Sequence, residues 1–302
     1  VVSRLSSEMR PPSAVAAGII KALRPRQWVK NVLVVGASLA TVGDEHDFRD
    51  VFYKAGIAMV VFCLAASSIY LINDVRDADA DRQHPIKCSR PIAAGVVSPA
   101  LACTLAVALA GAALAVSLAT VPALALVVMT YLAMQLGYCF GLKHQAVLDI
   151  CIVASAYLIR AIACGVAIGI PLPPWFLVVI AFIALFMVAG KRYAELQLAE
   201  RTGAQIRKSL DSYSGAYLRF VWSMSGTAIV VVYVLWAFEQ DRHGVSWFAV
   251  SAIPLTMGIL RYAVDIDGGM AGEPEEILLR DRTVQLLIVA WIATLCTATV
   301  LA

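Results

Sequence analysis

Asn73, Asp77 and Asp81 recur at one-turn intervals in the stretch Asn73-Asp74-Val75-Arg76-Asp77-Ala78-Asp79-Ala80-Asp81, directly after a long apolar run. On a helix leaving a membrane, positions i, i+4 and i+8 stack their side chains on one face. Asp74 lies on the edge of that face and Asp79 points roughly opposite, so Asn73, Asp77 and Asp81 are the set expected to converge on one ion. Their oxygens suit a hard cation. Mg²⁺ fits best, because it accepts one or two carboxylates and completes its shell with water and phosphate oxygens. A basic series follows, Arg82, Lys87 and Arg90, and the turn Ser89-Arg90-Pro91-Ile92-Ala93-Ala94-Gly95 is expected to return Arg90 towards the acids. Cations beside a metal site make sense where a polyphosphate bridges the two. The competing interpretation is a solvated helix end with surface ion pairs, disfavoured because acids at an apolar boundary are expensive unless paired or ligating.

A second polar series opens the connection 191 to 216 with Lys191, Arg192 and Glu195, where Lys191 and Glu195 share a helix face. Arg160 stands in the middle of an apolar run, which calls for a polar cavity, an acid such as Asp149, or an acceptor such as a carbonyl. Seven cysteines show no paired metal-binding spacing and, Cys88 apart, lie in apolar runs, where small hydrophobes are expected rather than disulfides or metal ligands. The four histidines form no zinc motif, and no Gly-rich phosphate loop is present. Any phosphate site must therefore be built from helix ends and charged side chains.

The elements that carry these residues are membrane helices. Of 302 residues 61% are apolar, and the mean hydropathy of +0.80 lies far above that of a soluble domain. The expected fold is all-α, a single domain over 1–302 formed by a polytopic bundle of nine spans. They fall at about 29 to 42, 51 to 72, 98 to 117, 122 to 141, 147 to 169, 174 to 190, 217 to 238, 246 to 264 and 284 to 302. Residues 1–22 are expected as a cytoplasmic, amphipathic surface segment rather than a secretory signal. Trp28, Trp175 and Trp247 fall near span ends, as belt anchors do. With the N-terminus inside, every Lys and Arg except Arg49, Lys54, Arg242 and the intramembrane Arg160 falls on the cytoplasmic side. That places both long connections, 73–97 and 191–216, inside, where anionic substrates would approach a multi-pass protein of the cell membrane. Nothing points to nucleic acid, and homo-oligomerisation is left open.

The Asn-Asp-x-x-Asp-x-x-x-Asp motif, Arg90-Pro91, the early Arg24-Pro25-Arg26-Gln27-Trp28-Val29-Lys30-Asn31 and the nine spans resemble the UbiA superfamily of intramembrane prenyltransferases. The segments Leu23 to Val34, Tyr138 to Gln145, Tyr157 to Ala163 and Lys191 to Leu196 resemble its phosphoribosyl-transferring branch, which begins arabinose-donor synthesis for arabinan-bearing cell walls. The resemblance implies a helical bundle with a cytosol-facing cavity, Mg²⁺ as cofactor, 5-phosphoribosyl 1-diphosphate as donor and a long polyprenyl (decaprenyl) phosphate as acceptor. It also implies that Tyr138 and Lys143 line the pocket and that Asn31 belongs to the substrate site. One departure stands out. Members of the superfamily carry a second aspartate-rich motif after the sixth helix, whereas here Glu195 is followed four residues on by Ala199 and preceded by Lys191.

Charge accounting agrees with that branch, since donor and acceptor together bring a diphosphate and two monophosphates. Arg24, Arg26, Lys30, Arg76, Arg82, Lys87, Arg90, Lys143, Lys191 and Arg192 can neutralise them. The expected substrate-binding set is Arg24, Lys30, Asn31, Arg82, Lys87, Arg90, Tyr138, Lys143, Arg160, Lys191, Arg192 and Glu195, with Asn73, Asp77 and Asp81 as metal ligands. Two alternatives remain: prenyl transfer from a prenyl diphosphate to an aromatic acceptor, and a non-enzymatic lipid or ion carrier.

Overall fold

The computed structural model describes residues 11–31, 34, 48–84, 87–202, 210, 212–240, 247–270, 277 and 281–301. Among them all regular structure is helical. The α-helices are α1 (Pro12–Ala22), α2 (Phe48–Arg76), α3 (Ala78–Gln83), α4 (Pro99–Thr120), α5 (Pro122–Phe140), α6 (Leu148–Ile168), α7 (Pro174–Thr202), α8 (Gly215–Gln240), α9 (Trp247–Asp267) and α10 (Arg282–Leu301). Short 3-10 turns cover Pro25–Asn31, Lys87–Ser89 and Leu142–His144. Among the described residues eight helices, α2 and α4 to α10, are long and apolar enough to cross a bilayer, so the chain is a multi-pass membrane protein. Of the first expected span, 29 to 42, the beginning lies in the turn Pro25–Asn31 and the remainder, Val34 apart, falls outside the described residues.

The helix ends follow local chemistry. Ser98 caps α4 by accepting from the Leu101 amide, and Pro99 occupies the first turn where no donor is needed. Gly141 ends α5 at φ 148, a backbone conformation that L side chains rarely adopt. The connection expected from 191 begins inside a helix instead: α7 runs unbroken to Thr202, because Lys, Arg, Ala, Glu, Leu and Gln are all good helix formers.

The chain divides into two compact units, Val1–Gly141 with Ile159–Pro171, and Leu142–Leu158 with Leu172–Ala302. In the first, α2 is the central helix. Ala58, Ala65 and Ala66 on α2 and Ala102 and Ala106 on α4 are buried, small residues that let the backbones approach closely. Ser68 donates to the Ala106 carbonyl at 2.8 Å, and Phe62 packs on Tyr131 with ring centroids 5.3 Å apart. Trp28, expected as a lipid-belt anchor, instead donates to Ser67 Oγ at 3.1 Å and docks the turn Pro25–Asn31 onto α2. In the second unit Phe186, Leu218, Ile229 and Ile266 form the core. Gly190 brings α7 against α9: a Cβ there would lie 2.6 Å from Ile266 Cδ1.

Candidate functional site

The acidic end of α2 continues into α3 through a slight kink at Asp77 (φ −96, ψ 4). The amide of Asp77 still bonds the Asn73 carbonyl at 2.9 Å and that of Asp81 the Asp77 carbonyl at 2.8 Å. The one-turn separation of Asn73, Asp77 and Asp81 therefore survives the junction. Asn73 Oδ1 lies 3.7 Å from Cys139 Sγ, beside the half-buried Tyr138 on the last turn of α5. Asp81 is buried.

Arg90 returns to these acids. Its turn closes through bonds from Ala94 N to Arg90 O (2.8 Å) and Val96 N to Pro91 O (2.8 Å), with Gly95 at φ 69. Ile92 and Val97 sink into a small core with Leu71 and Ala22. Thus anchored, Arg90 NH1 reaches Asp81 Oδ2 at 2.6 Å and Asp74 Oδ1 at 3.2 Å. Arg24 NH2 meets the same Asp74 oxygen at 2.5 Å and stacks over Tyr70, 5.0 Å from the ring centroid. Asp74, placed by spacing on the edge of the metal-facing side, is the hub of two guanidiniums.

The other cations of this unit are differently placed. Arg82 pairs with the exposed Asp79 and donates to the Ala93 carbonyl at 3.2 Å, fastening the turn. Arg76 lies 4.8 Å from the Phe140 ring centroid. Lys30 and Lys87 are half-buried in their 3-10 turns. Arg160 is buried on α6, and its Nε donates to Asn31 Oδ1 at 2.7 Å. Its NH2 meets Tyr131 OH at 3.3 Å, and the rings of Phe62 and Tyr131 flank it.

In the second unit Arg192 forks onto Asp149, Nε to Oδ2 and NH2 to Oδ1 both at 3.0 Å, and reaches Glu195 at 3.1 Å. Asp149, considered from sequence as a partner for Arg160, is thus engaged by Arg192. Lys191 is half-buried one residue before it, and Lys143 is half-buried in the turn Leu142–His144. Tyr213 accepts from the Val147 amide at 2.9 Å, and burial pushes its hydroxyl up from its ordinary value.

The donor set fits the cation expected of it. Asn73, Asp77 and Asp81 offer only oxygens, and the two carboxylates match what Mg²⁺ takes from protein. Among the described residues no three His, Cys, Asp or Glu gather as a self-sufficient cage. A site that depends on substrate phosphates for part of its shell needs none.

The chain, a multi-pass helical membrane protein, belongs to the UbiA prenyltransferase family, whose model matches residues 32–280. The chain is 64% identical over 287 residues to the decaprenyl-phosphate phosphoribosyltransferase of Mycobacterium tuberculosis, covering 94% of this chain and 95% of that one. It is 51% identical to the protein of the same name from Corynebacterium glutamicum, over 95% and 88% of the two chains. Among solved structures it resembles a UbiA homolog from Archaeoglobus fulgidus bound to DMAPP and Mg²⁺, with a TM-score of 0.69 at 17% identity over 91% of this chain and 98% of that one.

Proposed function

We infer that this chain is the enzyme that transfers 5-phosphoribose from 5-phospho-α-D-ribose 1-diphosphate to decaprenyl phosphate, releasing pyrophosphate and leaving a β-linked phosphoribosyl lipid. The carrying observation is its 64% identity, across nearly its full length, to a phosphoribosyltransferase acting on that lipid phosphate. Asn73, Asp77 and Asp81 are the residues to hold Mg²⁺, which when bound neutralises charge on the departing diphosphate. Arg24 and Arg90 stand beside them as phosphate-facing forks. Lys30, Asn31, Arg82, Lys87, Tyr138, Lys143, Arg160, Lys191, Arg192 and Glu195 complete the proposed substrate-handling set.

The bond from the ribosyl C1 to the diphosphate oxygen breaks and one from C1 to a lipid phosphate oxygen forms on the opposite face, inverting the anomeric centre. A phosphomonoester with a second pKa of roughly 6 is already largely ionised at neutral pH, so the chain needs no strong general base. What it supplies is position and fixed positive charge for two amphiphilic reactants. The polar reaction takes place at the cytoplasmic face of the cell membrane while the isoprenoid tail stays in the bilayer. The product is a precursor for arabinan in the cell wall.

Purified protein in lipid nanodiscs with Mg²⁺, decaprenyl phosphate and ribose-labelled donor tests this directly. Label is expected in the organic phase with stoichiometric pyrophosphate. No ribose label in lipid, with label from a separately supplied prenyl diphosphate passing to an aromatic acid, or lipid movement without covalent product, would replace the assignment by one of its two competitors.

A further inference from the structure

Asp74 and Asp79 are the acids of the motif that the proposed chemistry leaves unused, and they differ in surroundings. The Asp79 side chain is 92% exposed and pairs with Arg82, whereas that of Asp74 is 2% exposed. A carboxylate withdrawn from water is retained only where its pairing is good. Here one oxygen, Oδ1, takes both Arg24 and Arg90.

The two guanidiniums arrive from separate segments. Arg24 leaves α1 with its backbone at φ 54, a left-handed conformation that a non-glycine residue adopts only when its surroundings enforce it. Arg90 arrives on a turn braced from behind by α1. Gly18 lies so close that a Cβ would stand 2.7 Å from Val96 Cγ1, and Lys21 Nζ donates to the Ser89 carbonyl at 3.3 Å. Arg90 is shared: the same NH1 also holds Asp81, a proposed metal ligand.

We propose that Asp74 is a positioning residue that holds Arg24 and Arg90 side by side to receive the donor's phosphate oxygens, and retains Arg90 when Asp81 releases it. This rests on the donor-binding reading above. Two like-charged guanidiniums would otherwise repel, and their shared carboxylate oxygen fixes both in register for a diphosphate. Simple Coulombic accounting gives the opposite expectation: deleting a negative charge beside a phosphate site should tighten anion binding.

Inorganic pyrophosphate with Mg²⁺ is titrated calorimetrically into the full chain in nanodiscs, as wild type and as Asp74→Asn. Asp74→Asn is expected to weaken pyrophosphate binding about tenfold and raise KM for the donor by about the same factor, the loss of well-aimed charge-assisted contacts. The KM for lipid phosphate and the half-saturating Mg²⁺ stay unchanged. Pyrophosphate affinity equal to or tighter than wild type in a folded variant overturns the proposal, as does a shifted Mg²⁺ requirement, which would make Asp74 a metal ligand. A lowered melting temperature with unaltered pyrophosphate affinity overturns it too, leaving a structural role only. If wild type itself fails to bind pyrophosphate, the donor reading falls and this role with it. Should Asp74→Asn not fold, Arg24→Gln, at a side chain 26% exposed, is expected to weaken pyrophosphate binding several-fold; unchanged affinity there overturns the proposal.

Discussion

Arg160 Nε donates to Asn31 Oδ1 at 2.7 Å, joining the middle of an apolar helix to the turn Pro25–Asn31 that follows the N-terminal helix. An arginine within a span is tolerated when its donors are met, and here an amide oxygen, a tyrosine hydroxyl and two aromatic faces meet it. The bond is directional, so the two partners are not equally replaceable. Asn31→Asp keeps an acceptor for Arg160 and is expected to retain most of the thermal stability in detergent. Asn31→Leu strands a buried guanidinium donor and is expected to lose about 1–3 kcal/mol. Equal melting temperatures for the two variants would show that this contact does not hold the turn.

At the acidic end, Asp74 and Asp81 are buried and Asp79 is exposed. Asp77→Ala is expected to lower turnover by at least about a hundredfold, the scale of removing a ligand from an ion that stabilises a leaving group. Its melting temperature, measured alongside, separates loss of turnover from loss of folding. Asp79→Ala, at an exposed residue paired with Arg82, should leave turnover within about twofold, as an exposed ion pair contributes little. Steady-state assays with labelled donor check both, and near-normal activity in Asp77→Ala would remove that residue from the proposed metal site.

Much of the architecture was legible because span length and hydropathy are one-dimensional properties. The apolar runs after residue 48 coincide with α2 and α4 to α10, and the i, i+4, i+8 spacing of Asn73, Asp77 and Asp81 needs only the helical period. Partner choice was less legible. Arg160 demanded a polar neighbour, but that Asn31 supplies it depends on how the chain folds back from a turn far away in sequence. Asp149 looked available to Arg160 and is engaged by Arg192, because a fork geometry between α6 and α7 decides the matter. Asp74 was placed on the edge of the acidic face, but its partners were not legible for a related reason: helical phase describes one helix, and the two arginines that converge on it come from outside that helix.

The approach of α7 to α9 sets a packing prediction. Gly190→Ala places a methyl 2.6 Å from Ile266 Cδ1 and 2.8 Å from Cγ1, in a core where Ile266 is fully buried. Overpacking at such a site is expected to cost about 1–3 kcal/mol. Gly111→Ala is the matched control: nothing lies within 4 Å of its Cβ position, and alanine there should be neutral or stabilising by up to about 1 kcal/mol. Thermal unfolding of both variants in the same detergent tests the pair, and a Gly190→Ala protein as stable as Gly111→Ala would contradict the packing.

A titratable carboxylate caps the start of α10. Asp281 Oδ1 accepts from the amides of Thr283 at 2.7 Å and Val284 at 3.3 Å, and Oδ2 meets Arg261 NH2 at 2.6 Å. Desolvation pushes the carboxyl up, but the Val284 and Thr283 amides and Arg261 outweigh it, so Asp281 titrates below its ordinary value. A carboxyl lowered in the folded state contributes stability that is complete above its unfolded pKa of about 3.9 and is lost as pH falls through the folded value. Protection of the Thr283 and Val284 amides, corrected for intrinsic exchange, should therefore be flat from neutral pH down to about 5 and decline below about 4. Asp281→Asn keeps an oxygen for the cap but has nothing to titrate, so its profile should lack that decline. Identical acid profiles in the two proteins would assign the loss to other carboxylates and remove Asp281 as its cause.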